Sequence, residues 1–330
     1  MDMRVRSRRP LLYAPSTRPL HRGEKQRPCR REEWGEEMTL LVQSVVSGVA
    51  VGALYGIVAL GFVLIYKSTG VLNVAQGGLV MLGAYYCYTG ASQLGLPLPV
   101  AFLLALVVSF VVGLLIYRVL LRPLIGQPML AVIMMTIALL SVFNGAVVSI
   151  WGASFFTYPK VFPEAPLRVG DIVVSWEFVG GFALAMILNL IFVLFFRYSS
   201  MGLQMRAVSE DQQAAQAAGV NVERILSIAW GIGALVAAIA GILLGMVSVV
   251  FPGLGYIGMK AFPVVIMGGL ESLGGAILGG IIVGVLESLS GAYLEVALSG
   301  VKEIAPFVVL LIILLIKPHG LFGQKRIERI

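Results

Sequence analysis

Charge is what this sequence has least of. Asp, Glu, Lys and Arg make up 12% of its 330 residues, against 58% hydrophobic residues, and that is about half the charged share usual in soluble globular proteins. A water-soluble domain is therefore excluded. Two cysteines, Cys29 and Cys87, give no disulfide framework. Two histidines, His21 and His319, leave no Cys/His cluster with metal-ligand spacing. There is no G-x4-G-K-[ST] phosphate loop and no H-E-x-x-H pair, so the chain hydrolyses no ATP by that route and carries no zinc-peptidase motif. No G-x-S-x-G elbow is present. The net charge of +7 is concentrated at the start, where residues 1–37 hold ten Lys/Arg against six Asp/Glu. The rest is scattered over loops, which is the ordinary juxtamembrane pattern and argues against nucleic-acid binding.

What remains is a succession of apolar runs: Leu40–Tyr66, Val71–Tyr88, Pro97–Tyr117, Met129–Trp151, Phe178–Phe196, Ile225–Phe251, Ala261–Tyr293 and Ile304–Ile316. A helix needs about 20 apolar residues to cross a bilayer, and continuous runs exclude the alternation of a β-barrel. The expected fold is all-α, a polytopic membrane helical bundle of eight to ten spans. Ala261–Tyr293 is broken by Gly268-Gly269 and Gly274-Gly275, so it holds a half-helix plus a span or two short spans. Parity favours two crossings there and makes Val71–Tyr88 a candidate re-entrant segment if the N-terminus is cytoplasmic. The basic clusters Arg118/Arg122, Arg197/Arg206/Arg224 and Lys317/Lys325/Arg326/Arg329 are expected on the cytoplasmic side and Gly152–Trp176 outside. Residues 1–37 form a polar Arg/Pro-rich arm without the apolar core of a secretory signal. Met38, directly before the first run, is either the true start or the end of a flexible arm. Residues 38–323 make the transmembrane domain and 324–330 a cytoplasmic tail.

Two halves are internally related. Gly77-Gly78-Leu79-Val80-Met81-Leu82-Gly83-Ala84 matches Gly268-Gly269-Leu270-Glu271-Ser272-Leu273-Gly274-Gly275, and Gly48-x3-Gly52-x3-Gly56 matches Ala237-x3-Gly241-x3-Gly245. Gly-broken segments recurring in two halves point to a transporter's pathway. A third small-residue stripe, Ala276, Gly280, Gly284 and Ser288, has the spacing of close helix packing. Glu287 lies beside that stripe and is expected to point into the bundle, as a pathway or interface residue or as a structural hydrogen-bond partner.

Between two apolar runs lies the most polar segment after the arm, Arg197–Arg224. Lipid cannot satisfy it, so it lies in water. Ser209 with Gln212 reads as a capping box, Val208, Ala214/Ala215 and Ala218 recur at helical spacing, and Gly219 is a C-terminal stop. The expectation is a short docking helix, Ser209–Gly219, with its small apolar face in a partner's groove.

Here the sequence resembles a known family. Gln213-Ala214-Ala215-x3-Gly219 resembles the E-A-A-x3-G coupling motif of ABC importer permeases, with Gln213 in place of Glu. The surroundings, Arg206-Ala207-x2-Glu210-Asp211, Gly258-x-Lys260-Ala261-Phe262-x5-Gly268-Gly269 through Gly275, Gly280, Gly284 and Glu287, Gly52-Ala53-Leu54-Tyr55-Gly56, Asn73-x-Ala75-Gln76-Gly77-Gly78 and Lys317-Pro318-x-Gly320-Leu321-Phe322-Gly323, are similar to the permeases of high-affinity branched-chain amino-acid ABC importers, and more to the first of the paired permeases than to the second. Many relatives have an acid where Gly78 stands. The resemblance implies a second permease, two cytoplasmic ABC ATPases and a periplasmic or lipid-anchored binding protein, in a bacterial inner membrane. It implies no catalytic, cofactor or metal site in this chain, with ATP and magnesium held by the ATPases. It implies coupling through Arg206, Ser209, Glu210, Asp211, Gln213, Ala214, Ala215 and Gly219, and pathway or packing roles for Asn73, Gln76, Gly77, Gly78, Gly268, Gly269, Gly275, Gly280, Gly284 and Glu287. A sugar-type ABC permease and a stand-alone carrier are the alternatives.

Overall fold

A computed structural model describes residues 30–159, 166–169, 172–317 and 320–322, with the backbone alone for 30–36, 169 and 172. Contacts divide the chain into Met1–Glu37 and Met38–Ile330, and the second unit is the body described below. Cys29, Lys325, Arg326 and Arg329 lie outside the described residues.

Twelve α-helices account for nearly all described structure: α1 (Arg30–Thr69), α2 (Gln76–Tyr88), α3 (Leu98–Ile116), α4 (Met129–Trp151), α5 (Trp176–Tyr198), α6 (Ser200–Glu210), α7 (Gln212–Ala217), α8 (Val222–Val247), α9 (Leu254–Met259), α10 (Ala261–Gly268), α11 (Leu273–Tyr293) and α12 (Val301–Ile316). Among the described residues the extended structure is a small antiparallel hairpin, β1 (Leu167–Val169) with β2 (Ile172–Val174), Leu167 opposite Val174, and an isolated bridge between Phe156 and Val250. Six helical segments among the described residues are long and apolar enough to cross a membrane, namely Glu37–Thr69, Leu98–Leu124, Met129–Trp151, Trp176–Tyr198, Val222–Val247 and Leu273–Tyr293. The protein is thus a multi-pass membrane protein. The segments containing α2, α9–α10 and α12 are shorter.

The core forms where side chains are smallest. Eleven of the thirteen residues of α2 are buried, because α2 threads between α8, α3, α9 and α4. Glycine lets these backbones approach: a Cβ on Gly83 would strike Ala238 of α8, and one on Gly258 would lie 2.5 Å from Gly77 Cα. The α1 stripe packs on α11 in the antiparallel sense. A Cβ on Gly48 would sit 2.6 Å from Val285 Cα, and one on Gly280 would sit 2.7 Å from Gly56 N. Small residues four apart produce this contact, so the third stripe is a packing stripe where it meets α1. By contrast α4 and α5 are apolar on nearly every side yet mostly exposed, the signature of surfaces meant for lipid or another chain.

The two matched octapeptides differ in local structure. Gly77–Ala84 lies inside α2, whereas Gly268–Gly275 closes α10, turns through Gly269 at φ +97° and opens α11. Ser272 caps α11, its hydroxyl accepting from Gly275 N at 3.0 Å. Ala261–Tyr293 therefore comprises one short helix and one span-length helix.

The ends of the bundle are marked by contacts. At one end Arg122 pairs with Glu223 at 3.0 Å, and Lys67 at the close of α1 donates to the carbonyl of Glu271 at 3.2 Å while lying over the Phe196 ring. A Cβ on Gly320 would meet Ile266 and Gly269, so Gly320 shares this end. At the other end Gln43 reaches Val173 of the hairpin, Phe156 pairs with Val250, and Tyr158 donates to Ala84 O at 2.8 Å. The described basic clusters thus collect at one end, and Phe156, Tyr158 and Val173 of the Gly152–Trp176 segment at the other.

Candidate functional site

The polar segment folds as two helices, and its boundaries follow from capping chemistry. Ser199 begins α6, its hydroxyl accepting from Gly202 N at 2.9 Å. Ser209 and Glu210 are the last residues of α6, not the start of a docking helix. The cap of α7 is Asp211: its Oδ1 accepts from Gln213 N at 2.8 Å and Ala214 N at 2.9 Å. A carboxylate satisfies two orphan N–H groups and complements the positive end of the helix dipole, and this is why the break falls at Asp211 rather than at Ser209. At the far end Gly219 N donates to Gln216 O and Val220 N to Ala215 O, both at 3.0 Å. This is a Schellman closure, which needs a left-handed residue after the cap; Gly219 supplies it at φ +85°. Asn221 then caps α8, accepting from Arg224 N at 3.0 Å.

The expected apolar docking face is divided. Val208 and Ala215 are buried against the chain's own helices, while Gln213, Ala214, Ala218 and Gly219 are exposed. Ala215 is thus a foot of α7 on the bundle. Arg206 does not face a partner alone: its guanidinium lies over the Phe196 ring and donates weakly to Arg197 O. Phe196, fully buried at the end of α5, is therefore shared by Arg206 of α6 and Lys67 of α1. Through Lys67 and the Glu271 carbonyl, α6 is linked to the turn between α10 and α11. Cation–π contacts of this kind contribute about 0.5–2 kcal/mol each.

Asn73 and Gln76 are buried at the entry to α2. Asn73 Nδ2 donates to Gln76 Oε1 at 3.1 Å, Ala75 N donates to Asn73 Oδ1 at 3.1 Å, and Gln76 Nε2 reaches Gly233 O of α8. The pair thus fixes the turn after α1 onto α8. Gly77 meets the backbone of Gly255, Gly78 the ring of Phe143, and Gly268 meets Gly275. Gly284 lies against Gly52. Gly269 turns the chain between α10 and α11.

Glu287 does point inward. Its Oε2 accepts from the Tyr55 hydroxyl at 2.8 Å and its Oε1 from Lys260 Nζ at 2.9 Å. Lys260, at the junction of α9 and α10, also meets Glu303 Oε2 at 2.8 Å. Four helical segments are joined by this cluster. Lys260 and Glu287 are buried, whereas the Glu303 side chain is 64% exposed. An ion pair removed from water is retained only with good geometry and further hydrogen bonds, and Tyr55 supplies one. The sequence reading carried Lys260 only as a motif residue. The signal was there: between Arg224 and Glu271 it is the single charged side chain. Glu303 and Tyr55 gave no comparable signal.

The family model for the branched-chain amino acid transport system permease component matches residues 44–316. The chain is 30% identical over 303 residues to the high-affinity branched-chain amino acid transport system permease protein BraD of Pseudomonas aeruginosa, covering 88% of this chain and 98% of the relative. It is 31% identical over 314 residues to LivH, the corresponding permease protein of Escherichia coli, covering 89% and 99%. Its backbone aligns with a chain of PsaBC from Streptococcus pneumoniae in complex with Fab at a TM-score of 0.48 and 15% identity, over 88% of this chain and 98% of that one. On the match over residues 44–316 and the near-full-length relatives, the chain belongs to the family of branched-chain amino acid transport permease components.

Proposed function

We propose that this protein is a permease subunit of an ATP-driven importer for branched-chain amino acids or related amino acids and amides in a bacterial inner membrane. It works with a second permease, two cytoplasmic ABC ATPases that hold ATP and magnesium, and a periplasmic or lipid-anchored binding protein. The observation that carries the reading is α7, a six-residue helix capped at both ends within the longest polar interruption of an apolar chain. A helix so short is marginal unless its surroundings hold it. The Asp211 cap, the Gly219 closure and the buried Ala215 hold it on the bundle, leaving Gln213, Ala214 and Ala218 outward for an ATPase. Movement of the ATPases would pass from α7 and α6 through Phe196 and Lys67 to α1 and to the α10–α11 turn. Coupling of this sort requires an element that moves as a body with the spans.

Eight to ten crossings and two related halves belong to the same reading. The shared end of Lys67, Phe196, Arg122 and Glu271 supports a cytoplasmic face there, in keeping with the bias of basic residues. Gln43, near the hairpin, supports α1 entering from outside. Three passes then reach Arg118 without a re-entrant segment, α2 being prolonged to Gln93 by a π-helical turn. With α9–α10 as one short pass and α12 as the last, nine passes fit. The substrate would cross where the exposed faces meet the second permease. The test is uptake of labelled leucine by proteoliposomes holding all subunits and loaded binding protein. ATP-dependent accumulation is expected; accumulation independent of ATP would transfer the chain to the stand-alone carriers.

A further inference from the structure

The Lys260, Glu287, Glu303 and Tyr55 cluster has a charge imbalance that packing does not require. One cation is shared by two carboxylates. Glu287 is fully provided for, since one of its oxygens takes the lysine and the other the tyrosine hydroxyl. Among the described residues Glu303 has only its share of Lys260, and its side chain is 64% exposed in the first turn of α12. Exposed aromatic side chains lie one turn from each member of the outer pair. Tyr256 precedes Lys260 by four residues, and Phe307 follows Glu303 by four. With the Glu303 side chain exposed in the first turn of α12, the outer half of the cluster faces either a wet path or another chain.

We infer that the Lys260–Glu303 pair is a receptor for the charged end of a zwitterionic amino acid. This rests on the importer reading. The ligand carboxylate replaces Glu303 on Lys260 Nζ, the ligand ammonium donates to the released Glu303 carboxylate, and an apolar ligand side chain lies towards Tyr256 and Phe307. The exchange substitutes two salt contacts for one and leaves the Lys260–Glu287–Tyr55 base in place. The excess negative charge of the empty site opposes a lone carboxylate and is complementary to the ammonium, so a zwitterion is favoured over a simple anion. A neutral sugar offers neither charge, so the site would distinguish amino acids from uncharged solutes of similar size.

The test uses the complete importer in nanodiscs, without the binding protein, and equilibrium binding of two labelled probes. Leucine carries both charges; 4-methylpentanoate has the same carbon skeleton and carboxylate but no ammonium. In the wild-type complex leucine is expected to bind about tenfold more tightly than 4-methylpentanoate, the scale of one charge-assisted contact. Glu303→Gln is expected to abolish that difference and to strengthen 4-methylpentanoate binding, because it removes the anion that competes for Lys260 and repels the probe. Lys260→Met should weaken both probes. If Glu303→Gln leaves the preference for leucine intact, or weakens both probes equally, or if the wild-type complex binds neither, the site is refuted. Uptake by the same preparations with loaded binding protein separates the two failures. ATP-driven leucine uptake without the expected binding pattern overturns the site alone, whereas no ATP-driven uptake by wild type overturns the importer reading on which it stands.

Discussion

Replacing Asp211 by alanine removes both side-chain hydrogen bonds at the start of α7, to Gln213 N at 2.8 Å and Ala214 N at 2.9 Å. Loss of an N-cap costs about 1 kcal/mol in most helices. In a long helix that loss only frays an end; α7 has six residues, so its whole fold is at stake. Gly219→Ala acts at the other end. Nothing lies within 4 Å of the added Cβ, so the penalty is purely conformational: a left-handed residue other than glycine costs about 1–2 kcal/mol. The two sites cap opposite ends and touch no common group, so their effects should add to about 2–3 kcal/mol, or 30- to 150-fold in the population of intact α7. Membrane insertion should be unaffected, because neither residue lies in an apolar span. The assay is leucine transported per ATP hydrolysed in proteoliposomes, read beside hydrogen exchange of the Ala215 and Val220 amides. Each single variant should lower the ratio and the double variant should lower it most, while Asp211→Asn, an equally good cap, should stay near wild type. A double variant whose α7 amides exchange freely yet whose transport ratio equals wild type would refute the coupling role of this helix.

Gly280→Leu places a side chain against the backbone of Gly52 and Gly56, where a Cβ alone would sit 2.5–2.9 Å from main-chain atoms. Overpacking of about 1–3 kcal/mol or more is expected, visible as a lower unfolding midpoint in detergent; an unchanged midpoint would mean that α1 and α11 do not meet this way. Lys67→Met leaves Phe196 with Arg206 alone and the Glu271 carbonyl without its donor, so transport per ATP should fall while insertion persists; an unchanged ratio would remove Lys67 from the linkage. Glu295 accepts from Gly300 N at 2.9 Å and Lys302 N at 3.1 Å, and these backbone donors, Gly300 first, hold its carboxyl below the ordinary range. The sign follows: the stabilisation is fully present above the unfolded carboxylate value, about 4.3, and is lost as pH falls through the lowered folded value. Protection of the Gly300 and Lys302 amides should therefore decline in acid, and Glu295→Gln should remove that dependence.

Much of the helical framework was legible because apolar runs and small-residue spacing report directly on what lipid and close packing permit. The spacing of Gly280 and Gly284 announced close packing without naming Gly48 and Gly52 of α1 as its partners, and Gly219 announced its closure because no other residue adopts that backbone at so little cost. The matched octapeptides misled at the local level, since two glycines serve equally inside α2, where backbones cross, and at Gly268–Gly269, where the chain turns. The α7 cap moved from Ser209 to Asp211 because serine and aspartate both start helices, and only the fold of α6 decides which is free. Ala215 read as a docking contact because helical spacing identifies a face without saying whether that face meets the bundle or a partner. The ion cluster was the least legible part. Lys260 stood alone in its run, but its partners come from α11 and α12, with α1 joining through Glu287, and long-range pairing leaves no periodic trace.

The central claim is that this chain works as one permease of a multi-subunit ATP-driven importer. Affinity purification from the native host in mild detergent, with every co-purifying subunit identified, tests it most directly. A second permease of the same family and ABC ATPases in stoichiometric amounts are expected, with recovery of the ATPases, but not of the second permease, reduced when α7 is disrupted by the Asp211→Ala/Gly219→Ala double variant. Recovery of this chain alone, in detergent that keeps a known ABC importer intact, would contradict the account.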